Sequence, residues 1–262
     1  MTAGGWSAAL ANEWLKVRRS TVPLVTFVVF AVGPLAGGMF IYIAADPNRA
    51  KDLGLLGQKA ELSGITADWA GMLMFSTQIA SAGALLLFAF IVTWMFGREF
   101  VDGTAHYLMA LPVSRGVIVA AKFTLYALWA ALLTIWLTAV TFAIGLMMGL
   151  PGWSASLAST SASGILRACL LTILAITPIG YVASRSRGYL APLACAIGLL
   201  VLAQVAAILG WGAYVPWAIP AIAAGIAPDQ NATAASWLIV AITGLLGILA
   251  TVKWWRSPDA GL

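Results

Sequence analysis

Residues 123–166 carry no charged side chain, twice the length of roughly 20 apolar residues that one helical crossing of a bilayer needs. Five further uncharged stretches flank it, at residues 20–45, 69–97, 168–184, 188–228 and 230–252. Lipid offers backbone N–H and C=O groups no partners, so each run has to satisfy its own hydrogen bonds as a helix. Composition agrees. Of 262 residues, 62% are hydrophobic and 9% charged, against about 25% charged in a soluble domain. So few charges cannot coat a water-facing surface of this size.

The longest run breaks at "GLPGWSAS", residues 149–156, because Pro and Gly end helices. Its second part continues through Arg167. Crossings are therefore expected near 21–45, 70–97, 118–149, 162–184, 188–210 and 234–254. Residues 188–228 are long enough for two crossings, but Pro216 and Pro220 interrupt the second half. Trp211, Tyr214 and Trp217 suit a membrane interface. This half reads as a short broken or re-entrant segment on the outer side, before the last crossing.

The 14 basic residues support that count. With the N-terminus inside, Lys16, Arg18, Arg19, Arg98, Arg115, Lys122, Arg185, Arg187, Lys253 and Arg256 are cytoplasmic, and Arg49, Lys51, Lys59 and Arg167 lie at or near the outer face. A seventh crossing would weaken this positive-inside bias. The expectation is an all-α, multi-pass membrane protein with both termini cytoplasmic. Residues 1–20 form an elbow helix, 21–254 a six-helix domain and 255–262 a tail. The first apolar run is too long for a cleaved signal peptide. A net charge of +5 does not point to nucleic acid, since the cations are scattered between apolar runs. Cys169 and Cys195 both fall inside such runs and read as small core residues, with neither a disulfide nor a zinc pattern.

Before the first crossing, Trp6, Leu10, Trp14 and Val17 form one stripe of a helix, while Asn12, Lys16 and Arg19 lie on other faces. Two readings stand: a basic flank that sets topology, or an amphipathic helix lying in the headgroup layer. The aromatic stripe favours the second, because topology needs only the charges.

Between the second and third crossings lies a dense polar island, "MFGREFVDGTAHYLMALPVSRGVIVAAK", residues 95–122. Gly103 permits a sharp turn, and Asp102 suits a helix cap. "TAHYLMAL" has helical propensity and Pro112 ends it. Leu108, Met109 and Leu111 are expected to be poorly hidden. Short helices are not stable alone, and an exposed apolar patch implies a partner.

Glu99, Gly103-Thr104, Leu108, Pro112, Ser114-Arg115 and Lys122, in that order, resemble the pattern of the permease subunits of type-2 ABC transporters. The six crossings, the N-terminal helix and the broken segment before the last helix fit the same family. The resemblance implies that the short helix is a coupling helix seated in a separate ATPase subunit. Glu99, Gly103, Thr104, Leu108, Met109, Pro112 and Arg115 would make or support that contact. It also implies a second permease copy, as homodimer or related heterodimer, and ATP with Mg bound by the partner rather than by this chain. The chain has no G-x-x-x-x-G-K-[ST] loop. The first, second and fifth helices would face the pathway. By charge sign, Glu99 pairs with Arg115, Lys122 or a basic group of the ATPase.

Other classes fit less well. "DGTAH" at Asp102 starts like the motif of CDP-alcohol phosphatidyltransferases, but the next acidic residue is Asp229. The sole histidine, His106, is predicted on the side opposite "GWSAS", against an intramembrane Ser–His pair. An ion-coupled transporter or channel is the main alternative, yet such proteins bury ionisable groups at midmembrane, and the runs hold almost none. Arg167 either snorkels to headgroups or contacts a gate. Gln78 and Gln204 either join helices or line a path, and the pairs Gly33/Gly37 and Gly145/Gly149 either pack the monomer or build a dimer face. The Ala- and Gly-rich composition suggests a bacterial inner membrane, where Asn231-Ala-Thr233 would be no glycosylation site. An exporter is expected, with its cargo unspecified.

Overall fold

The computed structural model describes residues 3–46, 66–109, 113–227 and 229–257. Among these the protein is all-helical: α1 (Ala3–Arg18), α2 (Val22–Ala44), α3 (Trp69–Val101), α4 (Ala105–Met109), α5 (Arg115–Met147), α6 (Ala155–Ala175), α7 (Pro178–Ser186), α8 (Leu190–Ile208), α9 (Ile219–Ala223) and α10 (Ala234–Arg256). Six of them, α2, α3, α5, α6, α8 and α10, are long and apolar enough to cross a membrane. The protein is a multi-pass membrane protein.

Aromatic residues cluster at the two ends of the bundle. Trp69 packs edge-on against Trp153 at one end and Phe100 against Trp254 and Trp255 at the other. Helices α3 and α5 have 33 residues each, about 50 Å at 1.5 Å per residue, against a hydrocarbon layer of about 30 Å. They therefore project beyond the apolar layer, and the α3–α5 connection rides on that projection.

Inside the bundle, polar side chains bond neighbouring helices. Trp129 Nε1 donates to Thr26 Oγ1 (3.2 Å), Thr141 Oγ1 to Ser76 Oγ (3.0 Å), Tyr126 Oη to the Ile173 carbonyl (3.2 Å) and Trp255 Nε1 to Ser184 Oγ (2.9 Å). In lipid such bonds join helices that have no hydrophobic drive to associate. Three of the four paired glycines pack within the monomer. A Cβ on Gly33 or Gly37 would strike Ile79 or Phe75 of α3, and one on Gly145 would strike the Trp69 ring. Gly149 instead takes a left-handed turn at φ 60°.

The fourth crossing departs from expectation. It is predicted as one helix over 162–184, but α6 starts at Ala155 and stops at Ala175, and α7 begins at Pro178. Ser154 caps the earlier start, its hydroxyl accepting from Leu157 N at 3.1 Å. Pro178 lacks the N–H that would continue the ladder. Thr177 bridges the break, donating to the carbonyls of Leu174 (3.1 Å) and Gly244 (2.8 Å). Helix α10 crosses here on bare backbone, since a Cβ on Gly247 would lie 2.5 Å from Pro178 N. Gly247→Ala is expected to cost about 1–3 kcal/mol through this overpacking, read as a lower unfolding temperature of the purified protein. An unchanged temperature would contradict the close crossing.

The end of the last crossing also moves. Helix α10 runs to Arg256, beyond the end expected near residue 254, with Trp254 and Trp255 buried. The interrupted segment before α10 folds as a 3-10 turn (Gly212–Tyr214) and α9, with Trp217 Nε1 donating to the Ala175 carbonyl at 2.9 Å.

Candidate functional site: a buried charge network under the α3–α5 loop

Glu99 sits in the last turn of α3 and Lys122 in the third turn of α5, both fully enclosed. Lys122 Nζ is 2.7 Å from Glu99 Oε1 and 2.8 Å from Glu13 Oε2, and donates its third bond to the Met95 carbonyl at 2.9 Å. All three ammonium donors are thus used. Lys16 repeats the arrangement from the solvent side, at 2.8 Å from Glu13 Oε1 and 2.7 Å from Glu99 Oε1. Two carboxylates and two ammonium groups leave the cluster neutral. A buried ion group is tolerable only when paired and saturated with hydrogen bonds, and this one is.

The network reaches the loop. Thr104, just ahead of α4, donates its hydroxyl to Glu99 Oε2 at 2.7 Å. Gly103 turns the chain with φ 67°, in the left-handed region that favours glycine. Asp102 ends α3 rather than capping α4, and its carboxylate lies 3.7 Å from Arg98 Nε. One cluster thereby ties together α1, α3, α5 and the entry to α4.

Helix α4 itself is oriented otherwise than expected. Leu108 is predicted exposed, but it is 6% exposed and belongs to the main core with Ala105 buried beside it. The outward face carries His106 and Tyr107, and Tyr107 is 78% exposed. The side chain of Met109 and all of Leu111 and Pro112 lie outside the described residues. Arg115 does not meet Glu99. Its guanidinium donates to the carbonyls of Trp255 (3.2 Å) and Ser257 (3.3 Å), fastening the end of α10 to the start of α5.

On α1 the apolar stripe is split. Val17 enters the core, Trp6 and Leu10 are partly buried, and Trp14 is exposed. The line facing inward is Ala9, Glu13 and Val17, spaced four apart. Glu13 and Lys16 are the site residues that residue patterns overlook. The available signal is that Glu13 is the sole acidic residue before Asp46 and lies on the same helical line as Ala9 and Val17.

In the half of the bundle away from α4, Gln78 and Gln204 come together. They line a cavity of about 340 Å³ with Ser81, Trp217 and Ala221. Neither amide has a hydrogen-bond partner among the described residues, and both are exposed. Arg167 is not part of this cavity and is exposed on α6. Among the described residues no group of His, Cys, Asp and Glu could hold a metal ion.

The six candidate crossings and the short helix α4, bonded between the two longest of them, are the frame for a comparison with known families. The family model for ABC-2 family transporter protein matches residues 9–203. The chain belongs to that family, and is accordingly the membrane subunit of an ABC transporter, a transport component rather than a catalytic enzyme. It is 25% identical over 174 residues to the bacitracin transport permease protein BCRB of Bacillus licheniformis, covering 66% of this chain and 84% of that protein. Family membership implies an ABC ATPase as partner.

Proposed function

We propose that the protein is the permease of an ATP-driven exporter and that α4 is its coupling helix. Two permease copies and two ATPase subunits make the working unit, with ATP and Mg held by the ATPases. The α4 end of the bundle is cytoplasmic, which keeps the ten basic residues of that end inside. The observation that carries this reading is the bonding of Thr104 to Glu99, and of Glu99 through two lysines to α1 and α5. A push on α4 reaches three membrane-associated helices through charge-assisted bonds, which are shorter and stronger than neutral ones. Gly103 supplies the bend, Leu108 roots α4 in the core, and Arg115 joins α5 to α10.

Cargo would pass along α2, α3 and α8, with the Gln78/Gln204 cavity as an amphipathic station near the outer side. Arg167 lies apart from it and serves the outer headgroup layer. Bacitracin is the first compound to test, on the strength of the similar Bacillus licheniformis protein.

The docking contact is tested at Tyr107. Its ring faces outward, so Tyr107→Asp leaves the permease folded and inserted while co-purification of the ATPase falls at least about tenfold, the expected loss of one central aromatic contact. Unchanged co-purification would move the docking site away from α4.

A further inference from the structure

On the flank of α1 that faces α3 lies a pocket of about 510 Å³, walled by Lys16, Arg19, Trp94, Arg98, Asp102 and Tyr189. Its charges are not balanced. Lys16 is committed to Glu13 and Glu99, inside a cluster that is already neutral. That leaves Arg19 and Arg98 against the single carboxylate of Asp102, one net positive charge. Arg98 lies over the Trp94 ring at 4.6 Å and only 3.7 Å from Asp102, so most of its five donors are unspent. Arg19 is exposed and forms no ion pair among the described residues.

The pocket is also a formed recess. Tyr189 packs close to α3 because position 97 is glycine, where a Cβ would come within 3.0 Å of both the Tyr189 ring and the Gly188 carbonyl. The walls come from the last turns of α3, the residue preceding α8 and the end of α1, just before the first crossing. That is the depth of the headgroup layer, and Trp and Tyr are the aromatic residues that favour it. Two guanidinium groups with free forks suit a phosphate, which they bind in bidentate fashion.

We propose that this pocket is a binding site for an anionic phospholipid of the leaflet on the α4 side, its headgroup phosphate held between Arg19 and Arg98 while its chains remain in the bilayer. The lipid would brace α1 against α3 beside the charge network. Naming the leaflet cytoplasmic rests on the orientation proposed above, but binding itself requires neither the ATPase nor that orientation. The two readings therefore fail separately.

The test uses the purified full chain, incubated in detergent with equal amounts of phosphatidylglycerol and phosphatidylcholine, with retained lipid counted by native mass spectrometry. The wild type is expected to retain phosphatidylglycerol about tenfold over phosphatidylcholine. Arg19→Gln, which breaks no ion pair or side-chain hydrogen bond among the described residues, is expected to lower that ratio about fivefold, and the R19Q/R98Q pair to abolish it. Arg18→Gln removes an equal charge on the opposite flank of α1, where Arg18 borders a different, apolar groove, and is expected to leave the ratio unchanged. No enrichment in the wild type, or an equal loss in Arg18→Gln, would overturn the site. A second arm adds millimolar inorganic phosphate without lipid. Should free phosphate raise the unfolding temperature of the wild type but not of R19Q/R98Q, and phosphatidylglycerol show no enrichment, the pocket takes a soluble anion and the lipid proposal fails.

Discussion

Lys122→Met should be the most damaging single change in the membrane domain. It leaves Glu99 and Glu13 enclosed with only Lys16 to compensate two carboxylates. Removing one partner of a buried ion group costs about 3–5 kcal/mol. The purified variant is expected to unfold at a clearly lower temperature, with much of the expressed protein aggregated. Lys16 makes two of the same bonds from a position that is 20% exposed, so Lys16→Met is expected to cost far less, water replacing the lost donor. Coupling within the cluster gives a sharper check. Glu13→Gln added to Lys122→Met removes one negative charge and restores neutrality, and the double variant is expected to be more stable than Lys122→Met alone. Simple addition of the two losses would show that the four groups do not act as a unit.

Leu108→Asp is expected to be nearly as severe, for a different reason. The side chain sits in the core at 6% exposure, where an ionised carboxylate would lie among apolar side chains. The cost is several kcal/mol, expressed as loss of α4 from its seat and a broadened, lower unfolding transition. ATPase binding disappears as a consequence. Comparison with Tyr107→Asp separates the two roles. On the proposed docking, losing the exposed ring should cost binding without stability, whereas losing the buried leucine that seats the helix should cost both. Equal stability of the two variants would contradict the orientation of α4 described here.

The six crossings were legible because lipid allows few solutions. A run of about 20 apolar residues has to become a helix, and Ser154, Thr233 and Pro178 then adjust its ends. Pro178 is visible in the sequence, yet the apolar run continues through it, so hydropathy alone reads one helix where the chain makes two. The polar island was legible as a turn and a short helix, through Gly103. The inward face of α4 was not. A five-residue helix is too short to show a period, and Leu108 is buried by joining the main core, which no local pattern records. Glu99 and Lys122 stand out as charges bordering apolar runs. Glu13 does not, because a single carboxylate in a basic, aromatic helix looks like surface until α5 is placed against it. Gln78 and Gln204 are more than a hundred residues apart, and only the packing of α3 with α8 and α9 brings them to one cavity.

The central claim is that Glu99 transmits the movement of α4 to the membrane helices. Glu99→Gln keeps the size of the side chain and its bond to Thr104 while weakening both lysine bonds. The direct measurement is cargo moved per ATP hydrolysed, in proteoliposomes holding the permease with its ATPase and with bacitracin as the first cargo tried. Transmission through Glu99 requires the ATPase to remain bound and hydrolysing while that ratio falls at least about tenfold, the loss expected when a charge-assisted link of about 1.5–3 kcal/mol is removed. A ratio equal to the wild type's, with the Gln variant folded and its partner attached, would contradict it.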